Sequence, residues 1–349
     1  MEASTGTILY EKDADTRRHP ASVTKIMTLL LIFEAIEEGK ISLEESAVTS
    51  AHAKSMGGSQ VFLEEGESQT VETLIKCIVI ASGNDAAVTM AEHIAGTEEA
   101  FVAKMNEKAK ALGMENTHFE DCCGLTDSTE HYTSARDIAI MTRELTTRFP
   151  KIFEYSKIWM ENITHVTRNG SSEFGLTNTN KLLRSFEGCT GLKTGSTSMA
   201  KFCLSATATR NNIDLISVIM AGPDSKTRFR DAAALLTYGF GICSVYCDEE
   251  PPELPDAMIQ NGIKDTVPCH YGNTFSYLST KNENFSEIEK QMMWVEELEA
   301  PVEAGQQIGT LSYILNGKEI GNVPILASED VKRANYIDYL KKAAESWLL

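Results

Sequence analysis

The chain has 349 residues, 42% of them hydrophobic, with 32 basic and 50 acidic side chains and a formal net charge of −18. That length suits two domains, and that apolar content suits buried cores rather than a disordered chain. The acid excess excludes the basic stripe that neutralises phosphates, so no nucleic-acid partner is expected. The excess is uneven: residues 245–349 carry 18 of the acids and only eight of the bases, a first sign of two units. No run reaches the roughly 18 uncharged apolar residues of a membrane span. The nearest, Ile26 to Ile36, is interrupted by Glu34. The opening Met1-Glu2-Ala3-Ser4 has no basic flank or apolar run of an export signal. The eight cysteines fit no zinc spacing, and Cys243 and Cys247 lack a second pair or nearby His. No metal or cofactor is expected.

In chain order, Thr7 to Tyr10 reads as a strand. Pro20 precedes a long apolar pattern from Ser22 to about Glu38, closed by Gly39, which reads as a helix. Further helices are predicted over Val71 to Ala81, Asp85 to Ile94 and Glu98 to Leu112, the last closed by Gly113. Ser134 to Asp137 looks like a capping box for a helix reaching about Thr147. Near residue 160 the texture changes. Ile163 to Thr167 and Phe174 to Thr177 flank Asn169-Gly170, a hairpin signal, and Lys201 to Thr209 and Ile213 to Met220 flank Asn211-Asn212, a second one. Lys226 to Tyr238 is again helical. The run Asp248 to Pro255, with three prolines and four acids, reads as a linker. Short strands follow at Thr274 to Ser279, Met292 to Val295, Gln307 to Leu315 and Val323 to Ala327, with a tight turn at Asn316-Gly317. Residues 336–349 return to a helical period, with Tyr336, Ile337, Leu340, Ala344, Trp347 and Leu348 on one side. The fold class expected is α+β: an antiparallel sheet flanked by helices, with a helical subdomain, followed by a small all-β C-terminal domain. The domains expected are 1–244, 245–331 and an amphipathic helix over 332–349.

Three short motifs carry chemistry together. In Ser22-Val23-Thr24-Lys25, residues three apart share a helical face, which sets a hydroxyl one turn from an amine. A serine needs a base to become a nucleophile, and a buried lysine with a lowered pKa is one. Taken alone, the motif is as well explained by an N-cap serine and a surface lysine. A second Ser-x-x-Lys, Ser198 to Lys201, falls at the start of a predicted strand, where residues three apart face opposite sides. Ser82-Gly83-Asn84 lies between two predicted helices. A loop serine there could relay a proton and an amide could hold a substrate carbonyl, although a polar turn looks the same. In Lys193-Thr194-Gly195, on a strand edge, Lys193 and Gly195 point to one face and Thr194 to the other. There Lys193 would supply a fixed charge, and Gly195 would let a substrate backbone approach.

This triple, in this order, matches the S-x-x-K, S-D-N and K-T-G signature of class A β-lactamases and penicillin-binding proteins, with Gly83 in place of the middle Asp. Pro20 to Thr28, Ser82 to Ala87, Asn178 to Leu183 and Gly191 to Thr197 each resemble segments of the D-alanyl-D-alanine carboxypeptidase family of low-molecular-mass penicillin-binding proteins. The β-rich tail, with Ala300 to Gln306, is similar to that family's second domain. The resemblance implies a β-lactamase/transpeptidase-like fold. It implies peptidoglycan stem pentapeptide as substrate and β-lactams as covalent inhibitors. By the same resemblance Ser22 would attack the carbonyl between two D-alanines, with Lys25 as base. Ser82 and Asn84 would complete the relay and hold the substrate amide, and Lys193 would tune the field. Thr194 would bind the terminal carboxylate, with Gly195 beside it, and the N–H groups of Ser22 and Ser196 would form the oxyanion hole. Arg228 stands where the family places a carboxylate-binding Arg, with Arg230 close by. His131 is expected to be structural, His93 lacks a second ligand four residues on, and Cys122-Cys123 departs from the family.

Two other functions share these motifs: a serine β-lactamase and a non-catalytic cell-wall scaffold of the same fold. Class A β-lactamases deacylate with a Glu and a water. No Glu-x-x-Leu-Asn segment lies between the second and third motifs here, which favours the peptidase. The family normally carries an export signal and more of the first strand ahead of the position matching Met1. The chain is therefore expected to be a shortened form of an extracytoplasmic protein of the bacterial surface or periplasm. Residues 332–349 hold Lys332, Arg333, Lys341 and Lys342 against Asp338 and Glu345, with Trp347 near the end, which suits peripheral membrane contact.

Overall fold

The computed structural model describes residues 1–168, 170–281 and 283–340. It separates into two compact units, Met1–Gly241 and Ile242–Leu349. In the first, a 3-10 turn over Ala21–Thr24 runs into α1 (Lys25–Glu37). Then come β1 (Ser46–Val48), α2 (Ala51–Ser55), β2 (Ser68–Thr70), α3 (Val71–Val79), α4 (Asn84–Ala95) and α5 (Glu98–Ala111). After these come α6 (Ala135–Arg148), α7 (Ile152–Ser156), the hairpin β3 (Met160–Thr167) and β4 (Gly170–Thr177), and α8 (Leu182–Ser185). The antiparallel sheet β5 (Cys189–Thr197), β6 (Lys201–Arg210) and β7 (Ile213–Gly222) follows, then α9 (Ser225–Ile242).

The apolar run that came nearest to a membrane span is the central helix. Ile26, Met27, Leu29, Leu30 and Ile32 of α1 are all fully buried, as expected of a helix apolar on every side. No helix among the described residues is long and apolar enough to cross a membrane. Side-chain caps set the starts of neighbouring helices: Thr70, Thr97 and Ser134 accept the N–H of Thr73, Ala100 and Asp137. Each such cap contributes about 1 kcal/mol. The capping box at Ser134 is only half formed, because the Asp137 carboxylate accepts the Asn116 N–H and the Thr117 hydroxyl instead. Asn211 and Asn212 both have positive φ, +48° and +59°, the backbone of the tight turn that joins β6 to β7. In the hairpin of β3 and β4, Ile163 faces Phe174 and Thr167 faces Gly170; Asn169 is outside the described residues.

Two expectations fail here. Thr7 to Tyr10 is not a strand; only Glu2, pairing with Leu215, forms a bridge there. An apolar extended run becomes a strand only when a neighbour takes up its N–H and C=O groups. Ser198 to Ala200 form the turn before β6 rather than its first residues.

The second unit contains β8 (Ser244–Cys247), β9 (Ala257–Met258), β10 (Thr266–Val267), β11 (Cys269–Tyr271), β12 (Ser276–Ser279), β13 (Glu289–Trp294), β14 (Gln307–Leu315) and β15 (Lys318–Ala327). Its main sheet has the order β11-β15-β14-β13. Asn316 and Gly317, at φ +52° and +74°, make the tight turn between β14 and β15. The run that begins at Asp248 is not a free linker. Asp248 is buried, with Lys290 Nζ 2.7 Å from Oδ1 and the Tyr313 hydroxyl donating to Oδ2 at 2.7 Å. Of the C-terminal helix, 336–340 are helical, and the rest of that expectation, 341–349, lies outside the described residues.

Candidate active site

The three motifs meet in the first unit. Ser22 lies in the 3-10 turn and Lys25 opens α1, so one turn of helix sets Lys25 Nζ 3.1 Å from Ser22 Oγ. Lys25 is fully buried. Its other contacts are acceptors: Asn84 Oδ1 at 2.5 Å and the Cys123 carbonyl at 2.9 Å. The Asn84 orientation follows from its other end, because Nδ2 donates to the Gly57 carbonyl at 2.7 Å. Burial lowers the Lys25 pKa, against a partial opposing pull from Cys123, Cys122, Asp121 and Asp85. A neutral amine has two N–H groups and one lone pair. Two acceptors and one hydroxyl match that inventory and equally the three N–H groups of the charged form; burial is what favours the neutral one.

Ser82 sits in the turn between α3 and α4 with φ +63°, a conformation that non-glycine residues adopt only when held. Its Oγ accepts from Lys193 Nζ at 2.8 Å, and Lys193 also donates to the Thr194 carbonyl at 3.0 Å. Lys193 is fully buried, and burial first, then the charges of Lys25 and Arg228, push its pKa well down. The fixed positive charge expected from sequence is thus disfavoured, because no carboxylate stands among its hydrogen-bond partners. Asn84 is the first residue of α4 rather than a loop residue.

Alternation along β5 holds. Lys193 reaches Ser82, while Thr194 Oγ1 donates to Thr179 Oγ1 at 2.7 Å. Gly195 also has a task within the fold. A Cβ there would lie 2.8 Å from the Pro20 carbonyl oxygen and 3.0 Å from the nitrogens of Ser22 and Val23. Its missing side chain admits the protein's own 3-10 turn, which brings β5 against Ser22. Arg228 on α9 is buried and donates from Nη1 to the carbonyls of Gly195 and Cys203, both at 3.0 Å. Arg230 is exposed and pairs with Asp231. Ser196 follows at the exposed end of β5, and no side-chain hydrogen bond ties it to the other motif residues among those described.

Sequence reasoning missed the supports. Asp121 accepts the N–H groups of Cys123, Gly124, Leu125 and Thr126, which fixes the turn whose Cys123 carbonyl holds Lys25. Gly124, at φ +78°, leaves room for Ala21; a Cβ would sit 1.8 Å from the Ala21 carbonyl oxygen. Ala21 itself has φ +49° directly before Ser22, a strain of order 1 kcal/mol. The Thr28 hydroxyl donates to the Cys122 carbonyl at 2.5 Å. His131 has the expected structural place. Its Nδ1 accepts the Glu120 N–H at 3.0 Å, so the proton is on Nε2, which donates to Thr24 Oγ1 at 2.9 Å. Burial lowers its pKa, in keeping with a neutral ring. Cys122 and Cys123 are free and buried, and no group of three or more His, Cys, Asp and Glu that could hold a metal occurs among the described residues.

A serine one turn from a buried lysine, a second serine on a second buried lysine and an amide between them define a serine acyl-transfer enzyme. Comparison with known proteins gives the family. The D-alanyl-D-alanine carboxypeptidase profile matches residues 1–224, and that of the penicillin-binding protein 5 C-terminal domain matches residues 253–333. The chain is 38% identical over 348 residues to D-alanyl-D-alanine carboxypeptidase DacF of Bacillus subtilis, covering 99% of this chain and 88% of that protein. It is 32% identical over 362 residues to DacA of Escherichia coli, covering 99% and 87%. The crystal structure of penicillin-binding protein 5 from Haemophilus influenzae superposes with a TM-score of 0.73 at 30% identity, covering 95% of this chain and 96% of that one. The chain belongs to the D-alanyl-D-alanine carboxypeptidase family, the low-molecular-mass penicillin-binding serine peptidases of the cell wall.

Proposed function

We propose that the protein removes the terminal D-alanine of peptidoglycan stem pentapeptides through an acyl-enzyme on Ser22, and that residues 1–244 carry this chemistry. Neutral Lys25 takes the Ser22 proton as Oγ adds to the carbonyl between the two D-alanines. The N–H groups of Ser22 and Ser196 receive the oxyanion. Ser82, hydrogen-bonded to Lys193, passes its proton to the departing amine and takes back the one that Lys25 holds, so that D-alanine leaves with Lys25 neutral again. Water then attacks the ester, and its proton returns through Lys25, freeing Ser22 and the shortened peptide. Asn84 holds the peptide amide with its remaining N–H, while Thr194 and Arg228 receive the terminal carboxylate. The observation that carries this reading is the contact set of Lys25 Nζ, two acceptors and the Ser22 hydroxyl, inside a site that disfavours its charge. Intact-mass measurement after penicillin treatment should find one adduct on Ser22 and none in Ser22→Ala. An adduct that survives that substitution, or none on the native chain, would refute it. Slow release of that adduct separates the peptidase from a β-lactamase.

We also infer that residues 332–349 rest on an anionic membrane surface outside the cytoplasm. The support is the charge pattern of Lys332, Arg333, Lys341 and Lys342 beside Trp347. Co-sedimentation with phosphatidylglycerol vesicles should depend on that segment; equal sedimentation without it would contradict the inference.

A further inference from the structure

The loop over residues 57–63 is strapped to the Ser82-Gly83-Asn84 turn at alternate positions. The Gly57 carbonyl accepts Asn84 Nδ2 at 2.7 Å, and the Ser59 carbonyl accepts the Asn84 N–H at 2.8 Å. The N–H groups of Val61 and Leu63 both donate to the buried Asp85 carboxylate at 3.1 Å. Phe62 stands between those last two straps. Its φ is +63°, a backbone region that bulky side chains rarely enter, and the residue is 64% exposed. A strained backbone and an exposed phenyl ring thus coincide beside the site, held there by a buried carboxylate. Such outliers cluster where a ligand is bound.

The ring is also backed. Phe174 of β4 meets it edge-on, with centroids 5.8 Å apart and planes at 73°. Phe174 in turn meets the His165 ring at 5.6 Å, and His165 Nδ1 is 2.8 Å from Glu67 Oε1, with His165 and Glu67 both buried. Beyond Phe174, β4 leads to Thr179, the residue that accepts from Thr194. Both rings therefore belong to segments that touch candidate site residues, one through Asn84 and the other through Thr194.

We propose that Phe62, backed by Phe174, is a specificity-determining residue whose ring takes the aliphatic side chain of the stem-peptide residue preceding D-Ala-D-Ala. This rests on the Ser22 reading and names the part of the substrate that reading leaves open. A chain of several methylenes covers a phenyl ring and gains dispersion and burial, whereas a methyl side chain has little surface to offer it. Phe62 touches no reacting atom, so its effect falls on kcat/KM through binding.

A two-by-two comparison tests it. Wild type and Phe62→Ala are assayed for D-alanine release from two peptides ending in D-Ala-D-Ala, with lysine or with alanine at the preceding position. Acylation by 6-aminopenicillanic acid, which has no acyl side chain, reports on Ser22 alone. The substitution should cost about tenfold in kcat/KM on the lysine peptide, with less than about twofold on the alanine peptide and on acylation. Phe62→Tyr should restore the lysine-peptide rate. Equal losses on both peptides, a matching loss of acylation, or no loss on either would overturn the proposal. Wild type that is acylated but releases D-alanine from neither peptide would overturn the carboxypeptidase reading and this inference with it.

Discussion

Each unit buries a lysine contact in a different way, and the difference separates chemistry from architecture. In the second unit Lys290 meets the buried Asp248 carboxylate at 2.7 Å, and the Tyr313 hydroxyl satisfies the other oxygen. Burial alone would raise the Asp248 pKa, but the hydrogen bonds from Lys290 and Tyr313 prevail and hold it below 3.8. Charge is matched with charge, and the cluster ties Asp248 to β13 and β14. In the first unit Lys25 and Lys193 are fully buried, and their hydrogen-bond partners are hydroxyls, carbonyls and an amide. Taking a lysine from water without pairing it to an anion favours its neutral form. A buried pair supports a fold, whereas a buried lysine without one is an amine ready to accept a proton.

The largest expected effect comes from removing that amine. Lys25→Met should lower D-alanine release by about two to four orders of magnitude, the range of a lost general base. The smaller Gly195→Ala change leaves the amine in place and disturbs its aim. Its Cβ meets backbone atoms of Pro20, Ser22 and Val23 at 2.8–3.0 Å, none of them the tip of a flexible side chain. A displacement on the ångström scale costs about a hundredfold in rate, which single-turnover acylation kinetics should register, and the overpacking itself costs about 1–3 kcal/mol of stability. A loss as large as that of Lys25→Met would mean that the turn, not the amine, limits the reaction.

Stability against pH sharpens the contrast further. Because the folded pKa of Lys25 lies below 10.5, the unfolded chain binds a proton that the folded chain does not. Stability of the first unit therefore rises with pH between the folded value and 10.5, and Lys25→Met should flatten that rise. Asp248 acts in the opposite window. Its contribution is present above 3.8 and is lost as pH falls through its lowered folded value. Asp248→Asn should cost about 1–3 kcal/mol near neutral pH and should remove that acid sensitivity. Chemical denaturation across pH checks both, and identical pH profiles for the two variants would erase the distinction between the lysines.

The motifs were legible in the sequence because their geometry is local. Three residues of helix bring Ser22 to Lys25, and strand alternation sends Lys193 and Thr194 to opposite faces. What holds them was not legible. Lys25 is gripped by the Cys123 carbonyl and Asn84 by those of Gly57 and Ser59, and a backbone carbonyl has no letter in a sequence. That Arg228 is buried and Arg230 exposed was not legible either, because two positions on one helix do not reveal it. Gly195 was visible as a close approach, but its contact with the protein's own 3-10 turn was not. Thr7 to Tyr10 had strand composition and no partner. Asp248 looked like part of an acidic linker until Lys290 and Tyr313, far along the chain, closed around it.

Burial of Lys25 without an ion-pair partner favours its neutral form, and the mechanism turns on that shift. The direct measurement is an NMR titration of the assigned Lys25 side-chain nitrogen in the folded protein. The expected midpoint lies below 10.5, in the direction that burial pushes it. A midpoint at or above 10.5 would contradict the role of burial in making Lys25 a base.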